Sequence, residues 1–212
     1  MIKAVLFDFD GTIVDTNELI LNSWRHLYKT VLGRECRDEE VTVSFGEALW
    51  DSVRDRFPGY NTDELVDIYR KYNRQIFLEQ VKIYPGMKEL LVELKRRGIK
   101  TAVVTSRGIT TSTMGIEKYG LADYLDVIIT CEDTDAHKPD PLPCQIAMDR
   151  LSVKPDECIM IGDSRLDIQC AHNAGVKGVL VNWTICCPEK MRVENSKPDY
   201  IIDKAEEILD LL

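Results

Sequence analysis

The sequence predicts an α/β protein: a doubly wound parallel sheet with an all-helical insertion directly after its first strand. Three observations predict it. The chain opens on an apolar run, Ile2 to Leu6, broken only by Lys3, which reads as a buried strand. From Pro85-Gly86 onward, short apolar runs alternate with helical patterns, the signature of βαβ units and a parallel sheet with right-handed crossovers. Between these parts, residues 16–83 show helical periodicity and no convincing strand. The core is therefore expected to comprise residues 1–15 and 84–212, and the insertion residues 16–83.

Each element has its own signal. After Thr16, the residues Leu19, Ile20, Ser23, Trp24, Leu27, Tyr28 and Val31 share one helix face, and Gly33 can close it. The stretch from Cys36 to Phe57 suggests one or two short helices broken near Phe45-Gly46, and Pro58-Gly59 ends it. A second long helix face is formed by Leu65, Ile68, Tyr69, Tyr72 and Ile76. In the core, Met87, Leu90, Leu91 and Leu94 form a face stopped at Gly98, and Thr101 to Thr105 is a strand. Helices are expected from Ile109 to Tyr119 and Pro141 to Leu151, with a strand from Tyr124 to Thr130 between them. Cys158 to Gly162 is a strand and Arg165 to Asn173 a helix stopped by Gly175. Strands at Gly178 to Asn182 and Tyr200 to Ile202 and a last helix from Ala205 to Leu212 complete the pattern.

Composition narrows the function classes. The chain has 212 residues, 44% of them hydrophobic and 30% charged, as in ordinary globular proteins. The net charge of −9 argues against nucleic acid or an anionic membrane as the main partner. No apolar run approaches the ~18 residues needed to span a bilayer, and a chain that enters a strand at once leaves no room for a signal peptide. A cytoplasmic protein, monomer or homodimer, is expected. The seven cysteines (Cys36, Cys131, Cys144, Cys158, Cys170, Cys186 and Cys187) are odd in number and show no C-x-x-C spacing, which fits reduced thiols. The adjacent pair Cys186-Cys187 leaves a redox or soft-metal role open. The three histidines are scattered, so zinc is not expected.

Four stretches carry chemistry. The first is Phe7-Asp8-Phe9-Asp10-Gly11-Thr12. In extended backbone, Asp8 and Asp10 would point to the same side, roughly 6.5 Å apart. Like charges that close conflict, and a divalent cation resolves the conflict. Mg²⁺ suits hard carboxylate oxygens together with a phosphorylated ligand. Gly11 then allows a sharp turn, and Thr12 can cap the next segment. The second stretch is Val103 to Arg107, a strand ending in the hydroxyls of Thr105 and Ser106 and then a cation, Arg107. The third is His137 to Pro141, where Lys138 sits in a loop stiffened by two prolines. The fourth is Ile161 to Asp167, a strand ending in Asp163 with Asp167 four residues on. Singly, each has a plain alternative, such as a solvated lysine or a helix cap. Together they lie at or just past the carboxyl ends of strands, where open α/β sheets bind ligands. An insertion after the first strand emerges over that face and is placed to act as a lid.

In this order, the four stretches resemble the motifs of the haloacid dehalogenase-type hydrolases, across essentially the whole chain. The insertion resembles the small helical cap of the phosphoglycolate phosphatase, pyrophosphatase and β-phosphoglucomutase branch, on a Rossmann-like core. The resemblance implies that Asp8 is the nucleophile that takes a phosphoryl group. It implies that Asp10 protonates the leaving oxygen and then activates water. Thr105 and the Ser106 amide would hold the phosphate, Lys138 would neutralise charge, and Gly11 would let backbone amides approach. Asp163 would bind Mg²⁺ with Asp8 and the Asp10 carbonyl, and Asp167 would support a metal-bound water. The expected ligand is a small phosphorylated molecule, with no nucleic acid or membrane partner.

The motifs fix the reaction better than the substrate. The mutases of the branch carry a phosphate-binding arginine soon after a glycine like Gly46, whereas this chain has Glu47, Ala48 and Leu49 there. Arg54 is a possible substitute. Thr16 to Ile20, Lys138 to Pro141, Trp183 to Ile185 and Lys197 to Tyr200 resemble the bacterial pyrophosphatases. Arg107 could hold a second anionic group, either the distal phosphate of pyrophosphate or the carboxylate of phosphoglycolate. A phosphomutase, or a binding protein that kept the fold, remains the alternative.

Overall fold

A computed structural model describes residues 1–42, 45–183 and 196–212. The chain runs β1 (Ala4–Phe7), β2 (Val14–Asp15), α1 (Asn17–Leu32), α2 (Glu39–Thr42), α3 (Leu49–Arg56), α4 (Thr62–Gln80) and β3 (Lys82–Ile83). It continues with α5 (Met87–Arg96), β4 (Lys100–Val104), α6 (Ile109–Tyr119), β5 (Val127–Ile129), α7 (Leu142–Leu151) and β6 (Cys158–Gly162). It closes with α8 (Arg165–Asn173), β7 (Lys177–Val181), β8 (Tyr200–Ile202) and a 3₁₀ helix, Ala205–Leu211.

β1 sits inside a six-stranded sheet of order β5-β4-β1-β6-β7-β8, and every pairing in it is parallel. Its side chains alternate between two apolar layers, as the period of two requires. Val5 and Phe7 join Leu91 and Leu94 of α5, Ile116 of α6 and Ile208 of the 3₁₀ helix. Ala4 and Leu6 join Cys144 and Ala147 of α7 and Cys170 and Ala171 of α8. With both faces covered, β1 is continuously apolar and fully buried. The chain leaves β1 in both sheet directions, to β4 on one side and β6 on the other, so the carboxyl end of β1 lies at the crevice where ligands bind.

Helices α1, α3 and α4 pack around their own apolar cluster, built on Trp24, Tyr28, Phe57, Leu65 and Tyr69. Trp24 meets Tyr69 edge-on with ring centroids 5.3 Å apart, and Tyr28 meets Phe57 at 5.0 Å, both in the favoured T-shaped range. Asn61 caps α4, its side chain accepting from the amides of Asp63 and Glu64. α1 ends at Gly33, which takes the left-handed conformation expected of a helix terminator. The two connections between this unit and the sheet are tied together by an antiparallel ribbon, Val14 opposite Ile83 and Asp15 opposite Lys82.

Four details differ from the expectations. The final helix is 3₁₀ rather than α, and the strand expected from Tyr124 spans only Val127–Ile129, after a 3₁₀ turn at Ala122–Tyr124. The β2–β3 ribbon has no signal in the sequence, because two-residue strands carry no periodicity. Thr12 caps no helix: residues 9–14 form a tight turn, and the Thr12 hydroxyl is buried without a hydrogen-bond partner. Residues 184–187, with most of the Trp183 to Ile185 segment and the Cys186-Cys187 pair, lie outside the described residues.

Candidate active site

The site forms where four neighbouring strands end. β1 stops at Phe7, so Asp8 and Asp10 stand on the turn beyond it and not in extended strand. Their carboxylates therefore take separate partners instead of facing one another from one side of a strand. The Asp8 amide donates to the Ile161 carbonyl (2.8 Å), which pins the residue to β6. Gly11 comes next with φ +76°; a Cβ there would stand 2.0 Å from Asp163 Oδ2, so only glycine lets the turn and Asp163 coexist.

Thr105 ends β4, its amide bonded to Ile129 and its Oγ1 accepting from the Arg107 amide (3.1 Å). α6 is capped by Gly108, so the Thr105 and Ser106 hydroxyls are not used as helix caps. Ser106 donates to the Gly46 carbonyl of the helical unit at 3.4 Å. A Cβ on Gly46 (φ +88°) would stand 2.7 Å from Ser164 Oγ, which shows how closely that loop lies on the sheet ends.

Lys138 is not a solvated loop lysine; it is 7% exposed. Its Nζ donates to Asp8 Oδ1 (2.6 Å), Asp167 Oδ1 (2.5 Å) and the Val104 carbonyl (3.0 Å), using all three ammonium protons. Burial works against its charge, but the Asp167 and Asp8 carboxylates outweigh burial and raise its pKa above the ordinary lysine value. Ser164 caps α8, and the other Asp167 oxygen accepts from the Ser164 amide (3.0 Å) and hydroxyl (2.6 Å), a reciprocal capping box that fixes the carboxylate.

One oxygen each from Asp8, Asp163 and Asp167 lies within 4.8 Å of the other two, and all three residues are buried. Asp8 and Asp167 share a single ammonium, with the Asp163 carboxylate beside them. Burial, reinforced by Asp167, Asp163 and Asp10, raises the Asp8 carboxyl well above its ordinary value despite Lys138. A hard divalent cation fits this donor set, since it would relieve the excess negative charge with oxygen ligands.

Asp10 turns instead to Arg107, whose Nε stands 2.9 and 2.8 Å from its two oxygens. Arg107 Nη1 donates to Asn73 Oδ1 of α4 and to Thr111 Oγ1, both at 3.1 Å. Asn73 donates to Ser23 Oγ (2.9 Å) on α1. The helical unit and the sheet unit are thus hydrogen-bonded through Arg107. Between them lies a cavity of about 190 Å³, reached by Asp8, Asp10, Thr105 and Asp163 from below and by Trp24 and Tyr69 from above.

The structure therefore brings together Asp8, Asp10, Gly11, Thr105, Ser106, Arg107, Lys138, Asp163 and Asp167. Arg54 does not join them: it pairs with Asp51 (2.8 Å) and Asp55 (3.1 Å) on the outer surface of α3. Sequence periodicity missed Asn73, Arg70 and Arg74 on the cavity side of α4. Their spacing of three and four residues is a signal of a shared face, available once the apolar positions on that helix are set aside.

Residues 5–181 match the haloacid dehalogenase-like hydrolase family. The chain belongs to that family. A provisionally named pyrophosphatase PpaX of Clostridium perfringens is 40% identical over 212 residues, covering 100% of this chain and 98% of that protein. The pyrophosphatase PpaX of Bacillus cereus is 36% identical over 211 residues, covering 100% and 96%. Among solved structures, a provisionally named phosphoglycolate phosphatase of Lactobacillus plantarum superposes with a TM-score of 0.88 at 25% identity, covering 100% of both chains. The parallel sheet and its helical layers are therefore those of a haloacid dehalogenase-like hydrolase. No helix among the described residues is long and apolar enough to cross a membrane.

Proposed function

We propose that the protein is a Mg²⁺-dependent phosphohydrolase that works through a phosphoryl group carried on Asp8, with a compact phosphorylated molecule as substrate. The observation that carries this reading is the Lys138 bridge: one buried ammonium joins Asp8 to Asp167, with Asp163 alongside. A purely structural ion pair has no need of three buried carboxylates.

In the proposed reaction, an Asp8 oxygen attacks phosphorus and the bond to the leaving oxygen breaks. Asp10 gives its proton to that oxygen, then takes one from the water that cleaves the acyl phosphate, returning Asp8 and releasing orthophosphate. Thr105 and the Ser106 amide orient the phosphoryl oxygens, and Lys138 offsets the charge gathering on them. Asp8, Asp163, Asp167 and the Asp10 carbonyl would hold the cation, which supplies charge neutralisation when bound. Residues 16–83 would act as a cap over residues 1–15 and 84–212, excluding bulk water.

The similarity to pyrophosphatases and to a phosphoglycolate phosphatase supports pyrophosphate and phosphoglycolate as the candidate substrates. Leu49, half-buried where a mutase would need a cationic side chain, weighs against sugar-phosphate isomerisation. Mg²⁺-dependent phosphate release from both substrates and from a panel of sugar phosphates tests the proposal, with Asp8→Asn as the control. Release by wild type and none by the variant is expected; equal release by both overturns the assignment of Asp8.

A further inference from the structure

We propose that Arg70 and Arg74 form a second-anion subsite on α4 that selects a distal phosphoryl group, so that inorganic pyrophosphate is the preferred substrate class. This rests on the phosphohydrolase reading above and adds the substrate choice, which that reading leaves open.

Asp8 lies on one side of the cavity, and α4 forms the opposite wall with Tyr69, Arg70, Asn73 and Arg74. Positions 70, 73 and 74 are spaced so that they share a helix face. Asn73 fixes the rotation of that face. It is buried, accepts from Arg107 and donates to Ser23, so the helix cannot turn away without breaking two hydrogen bonds.

Neither Arg70 nor Arg74 pairs with a carboxylate among the described residues. Elsewhere in the helical unit Arg25, Arg34, Arg37 and Arg54 do, while Arg56 is held by the Glu40 and Ser52 backbone carbonyls. Arg70 instead touches the Cys131 sulfur at 3.9 Å. Two guanidiniums with no carboxylate partner among the described residues, at the mouth of a cavity on a chain of net charge −9, make a local attractor for anions.

Besides Asp8, Asp10 and Asp163, two carboxylates reach the cavity, and both are engaged. Glu47 accepts from Ser52 (2.8 Å), and Glu132 accepts from the Ile109 amide (2.9 Å). They repel an anion from their own positions and leave α4 as the cationic wall. A phosphoryl group suits that wall best. It brings close to two charges and three acceptor oxygens for two guanidiniums, whereas a carboxylate brings one charge and two oxygens. Sugar hydroxyls have no use for paired cations. With the distal group held there, the proximal phosphoryl passes to Asp8 and then to water, giving two orthophosphates per pyrophosphate.

The test uses the full chain with Mg²⁺ and compares wild type, Arg70→Gln, Arg74→Gln and Arg54→Gln on pyrophosphate, phosphoglycolate and p-nitrophenyl phosphate. Each of the first two substitutions should lower kcat/KM for pyrophosphate by about tenfold or more, chiefly through KM, and by under about threefold for p-nitrophenyl phosphate, which has no second anion. Arg54→Gln removes the same charge from the outer surface and should leave the pyrophosphate value unaltered. Equal losses on pyrophosphate and p-nitrophenyl phosphate, or no loss on pyrophosphate, overturn the subsite. Losses on phosphoglycolate equal to those on pyrophosphate overturn the choice of a phosphoryl group. If wild type releases phosphate from none of the three, the phosphohydrolase reading fails by itself. The subsite is then judged by calorimetric titration of pyrophosphate into Asp8→Asn protein. Binding about tenfold weaker after Arg74→Gln supports it, and unchanged binding overturns it.

Discussion

Arg107 holds Asp10 through a single nitrogen placed 2.9 and 2.8 Å from the two carboxylate oxygens, while its Nη1 reaches Asn73 of the helical unit. Its side chain is 8% exposed and that of Asp10 23%. Burial disfavours the guanidinium charge, and the neighbouring Asp10 more than compensates, so Arg107 keeps its charge. The carboxylate proposed to handle protons is thus oriented by a group that also contacts the opposite unit. Position of the helical unit and aim of Asp10 are mechanically linked.

Arg107→Gln should accordingly lower kcat by at least about tenfold, with Arg107→Lys falling between, because a lysine keeps the charge but not the planar contact. Breaking the pair should also cost about 1–3 kcal/mol, below the figure for a fully buried pair, since Asp10 retains contact with water. Steady-state phosphate release and urea unfolding check the two parts. A Gln variant with wild-type kcat would remove Arg107 from the orientation of Asp10.

The convergence of charged side chains at the strand ends was legible in the sequence because each stretch couples a strand signal to a residue with a strong physical reason to be there. Asp8 and Asp10 come after an apolar run, Lys138 stands just before two prolines, and Asp163 and Asp167 come after a second buried strand. Their convergence is then a consequence of the parallel sheet. The hidden part depends on contacts made across the fold. Asn73 is one polar residue on a helix read by its apolar face, and only Arg107, 34 positions away, gives it meaning. Arg107 itself was visible as a cation but not as the partner of Asp10, 97 positions away. Thr12 was open to misreading because a Gly-Thr step looks alike before a helix and inside a tight turn.

Lys138→Met should be the most damaging single change at the site. It leaves Asp8 and Asp167 buried without the ammonium that bridges them. Without divalent ions the variant should be about 3–5 kcal/mol less stable than wild type. Adding Mg²⁺ should recover more stability in the variant than in wild type, because the ion then meets two carboxylates that have lost their shared ammonium. Thermal unfolding in chelator and in Mg²⁺ measures this directly; equal recovery in both proteins would mean that the cluster holds no cation.

Asp8→Asn should behave in the opposite way. The Asp8 carboxyl is raised well above 3.8 by burial and by its acidic neighbours. Between that value and the raised one, the folded state binds the extra proton, so stability present at low pH is lost as pH rises. The asparagine variant does not titrate and still leaves Lys138 paired with Asp167. In chelator, it should match wild type near pH 4 and exceed it increasingly as pH rises toward neutral. Mg²⁺ should narrow the gap by favouring the ionised wild-type carboxylate. Denaturant unfolding across that pH range decides; a gap that grows toward low pH would reverse the sign and refute the electrostatic account.

Cys131 offers a check on the same seam from outside the reacting centre. Burial, with Glu132 next, pushes its thiol up to about 11, while Arg70 pulls in the other direction. A raised thiol pKa keeps the thiolate scarce at neutral pH, so alkylation by iodoacetamide should be slow there. It should keep rising about tenfold per pH unit beyond pH 9, where an ordinary thiol with a pKa near 8.5 has levelled off. Arg70→Gln removes the cation 3.9 Å from the sulfur, so the whole curve should move to higher pH. Peptide mapping of Cys131 at a series of pH values tracks both effects. A plateau below pH 9 in wild type would show that the sulfur is better solvated than its packing indicates, and an unmoved curve in the variant would place Arg70 away from Cys131 in solution.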